Sequence, residues 1–309
     1  MKNAEPIFDL DWIAVDWGTS SLRVWAIGSG GAVLARGAST DGMGSLKPDG
    51  YEPAMLRIVG PWLKAGAASV PVVVCGMAGA RQGWREAPYR SVPCAPIAGD
   101  GLMPVETQDC RLAVRIIPGL SQASPADVMR GEETQLAGLV AKLEGSGATV
   151  CMPGTHSKWA RIEAGVVASF RTFMTGELFA IAAGHSVLRH SVSDAGQDEP
   201  AFLEAVGEML ANPELLTGAL FSVRARSLLS GAGKEAGRAR LSGLLIGAEL
   251  GATRSLWQGN RVHLVGAPAL VESYALALHH AGGETVVEDG EALTLAGLKA
   301  ARAASLEVA

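Results

Sequence analysis

Two strand–turn–strand segments with similar tips, one in each half of the chain, constrain the fold most strongly. The first reads VDWGTSSLRVW around Gly18, and the second reads VCMPGTHSKWA around Gly154. In each copy an apolar run precedes Gly-Thr, and a basic residue and a tryptophan follow it. A single tip of this kind indicates an ordinary hairpin turn, because Asp, Ser and Gly favour turns. Two tips in matching frames predict a duplicated fold whose halves face each other.

The tips also carry groups that can bind phosphate. Glycine lets a backbone approach an anion closely, and amides and hydroxyls at a turn donate hydrogen bonds to phosphate oxygens. Thr19, Ser20 and Ser21 supply such donors in the first tip. Asp16 aligns with Met152, so only the first tip offers a carboxylate for a divalent cation. The pair of tips therefore predicts a grip on the two ends of a polyphosphate.

Composition excludes several classes of protein. The chain has 309 residues, 48% hydrophobic and 18% charged, which is long enough for two domains and argues against disorder. Its formal net charge of -5 provides no basic surface for nucleic acid. The four cysteines form no Cys-x-x-Cys pair, and neither a signal sequence nor a membrane-length apolar run occurs. We expect a cytoplasmic protein with no nucleic-acid or membrane partner.

The order of apolar runs predicts an α/β architecture. Strand-like runs dominate the start, Pro and Gly are dense from 88 to 125, and strands alternate with helices afterwards. A boundary falls most naturally around 118–126. We therefore predict an N-terminal α/β domain over 1–120 and a C-terminal one over 121–309. The last helix, 291–306, is a candidate to return to the first domain.

Taken in order, three motifs resemble those of the actin, sugar-kinase and heat-shock-ATPase superfamily. VDWGTSS resembles its first phosphate motif, MPGTHSKW its second, and LVGAPALVESYALAL its adenosine motif. The resemblance implies a two-domain actin-like (ribonuclease H-like) α/β fold with an interdomain cleft. Within that group, DWGTSSLR, GWREAPY, GEETQLAG, PGTHSKW, FRTFMTGELF and SGLLIGAEL together resemble 2-dehydro-3-deoxygalactonokinases over nearly the whole chain.

This resemblance implies an ATP-dependent kinase acting on a small sugar acid. The expected reaction transfers the γ-phosphoryl group to the 6-hydroxyl of 2-dehydro-3-deoxy-D-galactonate, with ATP and Mg²⁺ as cofactors. Positioning and charge neutralisation are the main requirements of phosphoryl transfer. The implied metal ligand is Asp16. The implied phosphate-binding residues are Gly18, Thr19, Ser20 and Arg23 in the first tip, and Gly154, Thr155, Ser157 and Lys158 in the second. Arg23 and Lys158 fit outward strand positions equally well.

The catalytic base is implied by a second resemblance. GEETQLAG resembles the G-D-Q stretch of FGGY-type carbohydrate kinases, where an aspartate opens a helix. Glu132, or Glu133 if the frame slips by one, would take that role, although Glu stands here for Asp. The alternative is that both acids only complement the positive end of the helix dipole.

The ligand pockets follow from the same resemblance. For the sugar acid the implied residues are Arg81, Gln82, Trp84, Arg85, Glu86, Arg171 and Thr172, because arginine forks suit carboxylates. A surface or packing role is equally compatible with each, and Trp84 is more typical of a packed residue. For adenosine the implied residues are Gly243, Gly247, Gly266, Ala267, Pro268 and Leu270. The glycines of SGLLIGAEL equally fit a helix-packing face.

Three alternatives stay open at this point. One is a kinase for another sugar acid or a simple sugar, and another is a non-metabolic actin-like ATPase or regulator. The third is a dinucleotide-binding dehydrogenase, suggested by IGSGGAVLARG, but its glycines lack the G-x-G-x-x-G spacing. The sequence also leaves open the substrate stereochemistry and whether the chain forms a homo-oligomer. A kinase of this kind is expected to close over its ligands and exclude water.

Overall fold

A computed structural model of the chain describes residues 7–64, 66 and 68–307. The strands are β1 Leu10–Trp17, β2 Leu22–Gly28, β3 Val33–Ser39, β4 Val70–Gly76, β5 Tyr89–Ser91, β6 Met103–Val105, β7 Leu112–Ile116, β8 Gly119–Gln122, β9 Asp127–Met129, β10 Ala148–Met152, β11 Ser157–Glu163, β12 Val166–Phe173, β13 Arg261–Val265 and β14 Glu284–Glu288. The α-helices are α1 Tyr51–Val59, α2 Glu132–Leu143, α3 Thr175–His185, α4 Glu199–Ala211, α5 Leu216–Leu229, α6 Lys234–Ala252, α7 Arg254–Trp257, α8 Pro268–His280 and α9 Gly290–Glu307. Among the described residues, none of the helices is both long and apolar enough to cross a bilayer.

The chain divides into two compact units. The first unit holds the described residues up to Ser146, a short return over Glu163–Ser169, and the described residues from Gly290 onward. The second unit holds Gly147–Ile162 and Phe170–Asp289. The structure thus moves the boundary from the predicted residue 120 to 146, because α2 packs against α9 inside the first unit.

Two sheets repeat one strand order. One sheet runs β3-β2-β1-β4-β7-β6 and the other runs β12-β11-β10-β13-β14. In the first sheet, β1 pairs antiparallel with β2 through a hairpin and parallel with β4. In the second sheet, β10 pairs in the same way with β11 and with β13. This duplicated order confirms the predicted actin-like fold class. The tips around Gly18 and Gly154 are the turns of the two corresponding hairpins. A third, smaller sheet has the order β5-β8-β9.

The glycine-rich IGSGGAVLARG segment forms the β2–β3 hairpin. The Gly28 amide donates to the Ala32 carbonyl at 2.9 Å, and Gly31 has a φ of 76°. A strand follows this turn where a dinucleotide-binding motif requires a helix. The structure therefore removes the dehydrogenase alternative.

Both faces of β1 are buried, which explains its continuous apolar sequence. Ile13 and Val15 pack with Tyr51 and Met55 of α1 on one side. On the other side Trp12 and Ala14 pack with Trp25 and with Leu298 and Ala301 of α9. Both sides of the sheet therefore bury apolar surface, which is the main stabilising term of folding.

The second unit builds its core in a similar way. Cys151, Trp159 and Leu264 of the sheet pack with Phe202 of α4 and Tyr274 of α8. The long helix α6 lies directly against α4. These helices help to line a cavity within this unit, described below.

Candidate active site

The first tip is a tight, well-supported turn. The Gly18 amide donates to the Ser21 carbonyl at 2.8 Å, while the amides of Met43 and Gly44 donate to the carbonyls of Gly18 and Thr19. A Cβ at Gly42 would collide with the backbone of Thr19 and Ser20. Thr19 and Ser20 themselves are exposed. A fixed backbone with exposed hydroxyls fits an anion-binding turn.

Asp16 and Arg23 form an ion pair across the β1–β2 hairpin. They occupy directly opposed positions, and the Arg23 Nε lies 3.1 Å from the Asp16 Oδ2. Arg23 also approaches Glu291 of α9, with 3.9 Å between the Nη1 and Oε2 atoms. In this arrangement the predicted metal ligand and the predicted phosphate-neutralising arginine compensate each other's charge.

Helix α2 begins at the two predicted catalytic acids. Glu133 is fully buried, and its carboxyl accepts hydrogen bonds from the Gly131 amide at 2.7 Å and the Thr134 hydroxyl at 3.1 Å. Burial, followed by the charge of Glu132, raises the pKa of the Glu133 carboxyl to about 8. Glu132 is half-buried, and its Oε2 accepts the Arg130 amide at 3.1 Å. The two neighbouring acids therefore have different environments and suit different roles.

Cys75 joins the acid of β1 to the start of α2. It pairs with Asp16 in the parallel β1–β4 register, and its Sγ lies 3.6 Å from the Asp16 Oδ1. Burial and the nearby charges of Asp16 and Glu133 raise the pKa of the Cys75 thiol. Sequence reasoning did not predict that Cys75 lies beside Asp16. Pairing β1 with VPVVVCG as adjacent parallel strands would have placed Cys75 beside Asp16.

The segment 77–89 mixes exposed and packed side chains. The exposed residues include Arg81, Gln82, Arg85 and Glu86, and the Arg81 Nε lies 3.4 Å from the Glu86 Oε1. Trp84 is half-buried: its ring stacks on Tyr51 and meets Trp17 edge-on, at centroid distances of 6.1 and 6.0 Å. The packing interpretation of Trp84 therefore applies, while the arginines stay accessible.

Arg130, which the sequence did not identify as a site residue, contacts the segment 77–89. It is 9% exposed, donates from Nη2 to the Ala87 carbonyl at 2.7 Å, and lies 4.4 Å from the Tyr89 ring centroid. Its position immediately before Gly131 links the segment 77–89 to the start of α2. The sequence offered no local signal, because the contacts join residues more than forty positions apart.

The second tip differs from the first in where its side chains lie. Gly154 and Thr155 face a cavity, but Ser157 is 0% exposed and its Oγ lies 2.8 Å from the Tyr274 hydroxyl. Lys158 is also buried, at 5% exposure. The predicted phosphate contact of Ser157 is therefore incompatible with this arrangement, since its hydroxyl is enclosed and engaged.

A cavity of about 630 Å³ opens beside this tip within the second unit. Its walls come from the tip, the start of α3, the middle of α6 and the start of α8. The lining includes Thr155, Gly176, Leu245, Ile246, Leu270 and Ser273. Gly176 lies so close to the tip that a Cβ there would collide with the Gly154 carbonyl, and the Glu177 amide donates to the Thr155 carbonyl at 2.9 Å. The second tip and the N-terminus of α3, the positive end of its helix dipole, thus form one surface.

The predicted adenosine residues separate into two groups. Leu270 lines the cavity, and the exposed Gly266, Ala267 and Pro268 form the connection from β13 into α8 that precedes it. A Cβ at Gly266 would lie 2.9 Å from the Pro153 carbonyl oxygen. The absence of a side chain at Gly266 therefore lets the connection after β13 approach the connection after β10.

Gly243 and Gly247 are corrected to a helix-packing role. A Cβ at Gly243 would collide with the Phe202 carbonyl of α4, and one at Gly247 would lie 2.8 Å from the Val206 carbonyl. Neither glycine lines the cavity; their neighbours Leu245 and Ile246 do. The four-residue spacing identifies the face of α6 that packs on α4 instead of the face toward a ligand.

Arg171 and Thr172 lie on β12, with Arg171 exposed and Thr172 half-buried. Neither residue lines the cavity of the second unit. Within the described residues, no group of three or more His, Cys, Asp or Glu side chains is arranged to hold a metal ion. Asp16 therefore belongs to no such group among these residues.

Comparison with known proteins places the chain in a family. The family model described as 2-keto-3-deoxy-galactonokinase matches residues 16–301. A protein of Rhizobium meliloti (strain 1021), named "Probable 2-dehydro-3-deoxygalactonokinase", is 45% identical over 300 residues, which cover 94% of this chain and 96% of that protein. The 2-dehydro-3-deoxygalactonokinase of Escherichia coli (strain K12) is 34% identical over 292 residues, covering 93% and 96%.

A solved structure agrees with these matches. A crystal structure from Sinorhizobium meliloti, provisionally described as a 2-dehydro-3-deoxygalactonokinase protein, superposes with a TM-score of 0.85 at 43% identity. It covers 95% of this chain, and this chain covers 98% of it. The ordered motifs, the duplicated sheets and these matches over nearly the full length lead to one conclusion: the chain belongs to the 2-keto-3-deoxy-galactonokinase family.

Proposed function

We propose that this protein is an ATP-dependent 2-dehydro-3-deoxygalactonokinase. It transfers the γ-phosphoryl group of ATP to the 6-hydroxyl of 2-dehydro-3-deoxy-D-galactonate, a step of galactonate catabolism. Membership of the family over residues 16–301 is the observation that carries this assignment. The four free cysteines are consistent with a reducing compartment, and we place the reaction in the cytoplasm.

The cavity of the second unit is the proposed nucleotide site. Leu245, Ile246 and Leu270 supply an apolar surface for the adenine ring, and a cavity of about 630 Å³ lies in the usual range for ligand sites. Gly154 and Thr155, beside the first turn of α3, supply backbone amides and a hydroxyl for phosphate oxygens. Ser157, Gly243 and Gly247 are left out of the binding set for the reasons given above. Lys158 stays in the proposed binding set only as a buried source of positive charge.

The first unit supplies the proposed phosphate and metal ligands Gly18, Thr19, Ser20 and Asp16. The residues fit Mg²⁺, because that ion is commonly held by one or two carboxylates together with waters and substrate phosphates. When bound, Mg²⁺ would neutralise charge on the transferring phosphoryl group. Binding at Asp16 would compete with Arg23 for the carboxylate, which leaves the guanidinium available for a phosphate oxygen.

Glu132 is the proposed base. The 6-hydroxyl oxygen forms a bond to the γ-phosphorus, the bond from that phosphorus to the β–γ bridging oxygen breaks, and the hydroxyl proton passes to the Glu132 carboxylate. Glu132 is preferred to Glu133 because it is partly accessible, whereas Glu133 is enclosed and exposes no carboxylate oxygen to solvent. A base must come within hydrogen-bond reach of the proton that it accepts.

Arg81 and Arg85 are the proposed partners of the substrate carboxylate. Both are exposed, and a guanidinium can bind a carboxylate through two parallel hydrogen bonds. Gln82 and Glu86 are proposed for substrate hydroxyls. Trp84 contributes by packing the segment 77–89 against the core of the first unit. Arg171 and Thr172 of β12 are further candidates for binding the substrate.

A coupled ADP-release assay with 2-dehydro-3-deoxy-D-galactonate tests the function and the base together. We expect Glu132→Gln to lower kcat by about 10²- to 10⁴-fold, the usual contribution of a general base, with ADP affinity unchanged. The matched control is Glu133→Gln, which we expect to retain more than a tenth of kcat because the buried amide keeps the same volume. Loss of turnover in Glu133→Gln with normal turnover in Glu132→Gln would transfer the role to the neighbouring acid.

The same assay separates the competing functions. Turnover with another 2-keto-3-deoxy acid and none with the galactonate derivative would reassign the acceptor within the kinase class. ATP hydrolysis that is independent of any sugar acid would instead favour a non-metabolic ATPase.

A further inference from the structure

Glu249 is a buried carboxyl that no step of the proposed reaction uses. It lies on α6, is 2% exposed, and accepts a hydrogen bond from the Trp159 indole N–H at 2.7 Å. Its other oxygen, Oε2, accepts the Tyr274 hydroxyl at 2.7 Å and the Thr175 hydroxyl. The Ser157 hydroxyl in turn bonds to that of Tyr274 at 2.8 Å.

One assignment of protons satisfies this network. The indole N–H of Trp159 can only donate, and the Tyr274 and Thr175 hydroxyls donate their single protons to the carboxylate. Ser157 then donates to the Tyr274 oxygen. Burial raises the pKa of the Glu249 carboxyl, while the hydrogen bonds of these four residues act in the opposite direction. A buried charge is tolerated in a protein where several donors compensate its lost hydration.

The four donors come from three elements around the cavity. Ser157 and Trp159 belong to β11, which follows the second tip, Thr175 begins α3, and Tyr274 belongs to α8. Thr175 and Tyr274 line the cavity, whereas Glu249 does not. Glu249 therefore contacts no ligand itself but connects the tip strand, α3 and α8 to α6.

We propose that Glu249 is a positioning residue that holds the strand after the second tip, the start of α3 and the middle of α8 in the arrangement that binds nucleotide. This inference rests on the proposed nucleotide site and adds the element that organises it. A site bound by backbone amides needs its amides fixed in advance, because ordering them on binding would lower affinity.

The test compares two buried tryptophans of the same core. Trp159→Phe removes the donor to Glu249, whereas Trp257→Phe removes a donor to the Leu250 carbonyl, at 2.8 Å, and leaves the hydrogen bonds of Glu249 in place. Both side chains are almost fully buried and belong to one apolar cluster, so the two variants lose similar volume and one hydrogen bond each. Glu249→Gln is measured beside them.

ADP affinity by calorimetry and the KM values for ATP and the sugar acid are the readouts. We expect Glu249→Gln and Trp159→Phe to weaken ADP binding and raise the ATP KM by about 10-fold, the scale of one lost hydrogen bond to a charged group, with the sugar-acid KM within about twofold. We expect Trp257→Phe to lower the melting temperature while leaving ADP affinity within about twofold. Thr175→Ser, which keeps the hydroxyl, should retain the affinity that Thr175→Val loses.

Equal ADP affinity in Trp159→Phe and the unaltered protein would overturn the proposal, as would equal losses in the two tryptophan variants. If Glu249→Gln fails to fold, the tryptophan pair still decides. Because ADP binding is measured without the sugar acid, a protein that binds ADP but does not phosphorylate 2-dehydro-3-deoxy-D-galactonate would refute the proposed function alone.

Discussion

At the scale of single residues, neighbouring acids acquire different properties from different burial. Glu132 and Glu133 are adjacent at the start of α2, yet one is half-buried and the other is fully enclosed. Enclosure opposes ionisation because a charged carboxylate loses its hydration. The same local sequence therefore yields an accessible base candidate and a carboxyl that keeps its proton near neutral pH.

This difference predicts a pH dependence of stability. The pKa of Glu133 is about 8 in the folded unit against an ordinary 4.5, so between these values the folded state binds more protons than the unfolded state. The free energy of unfolding should then fall as the pH rises from about 5 to about 8, by up to a few kcal/mol. Urea unfolding at both ends of this range should show a flatter dependence for Glu133→Gln.

The matched control is Glu144→Gln, an exposed acid at the C-terminal end of the same helix. That variant should keep the slope of the unaltered protein. An unchanged slope in Glu133→Gln would mean that Glu133 ionises normally.

At the scale of elements, glycine allows two helices to approach closely. The α4–α6 contact places the backbone of α4 directly over Gly243 and Gly247, where a side chain has no room. Helix propensity alone favours alanine over glycine by about 1 kcal/mol. The two effects oppose each other here, and steric exclusion by backbone atoms is the larger one.

We predict opposite signs for one substitution at two helical sites of the second unit. Gly243→Ala should lower the free energy of unfolding by about 1–3 kcal/mol, because the new methyl group forces α4 and α6 apart. Gly218→Ala, on α5, should raise it by up to about 1 kcal/mol, since nothing lies within 4 Å of the added Cβ. Chemical denaturation followed by far-ultraviolet circular dichroism measures both, and stabilisation by Gly243→Ala would contradict the steric account.

At the scale of the whole molecule, the chain leaves the first unit and returns to it at its end. Helix α9 packs on β1 and β4 and completes the core that contains Trp12 and Trp25. Folding of the first unit therefore depends on residues that follow the second unit in the sequence. The sequence anticipated this return only as one possibility for 291–306.

Leu298→Ala tests the contribution of this returning helix. Leu298 is fully buried against the first sheet, and truncating such a leucine costs about 2–5 kcal/mol. Leu306→Ala on the same helix should cost less than about 0.5 kcal/mol, because that side chain is 59% exposed. Similar unfolding midpoints in urea for the two variants would show that α9 is not part of the cooperative core.

The sequence by itself determined the two hairpin tips, the order of the motifs and the helix that begins at the paired acids. These features depend on neighbouring residues: apolar strands, Gly-Thr turns and acids at a helix start are local patterns. The two-domain actin-like fold class then followed from the superfamily that the motifs resemble, whereas the strand order of the two sheets came from the structure.

Only the tertiary structure decided which side chains of those motifs are available. Arg23 pairs with Asp16, Ser157 is enclosed beneath Tyr274, and Gly243 packs against α4. The partners lie from 7 to 117 positions away in the chain. Burial and pairing depend on segments that meet only after folding, so a local pattern can identify a phosphate-binding turn but not which of its hydroxyls and charges still face a ligand.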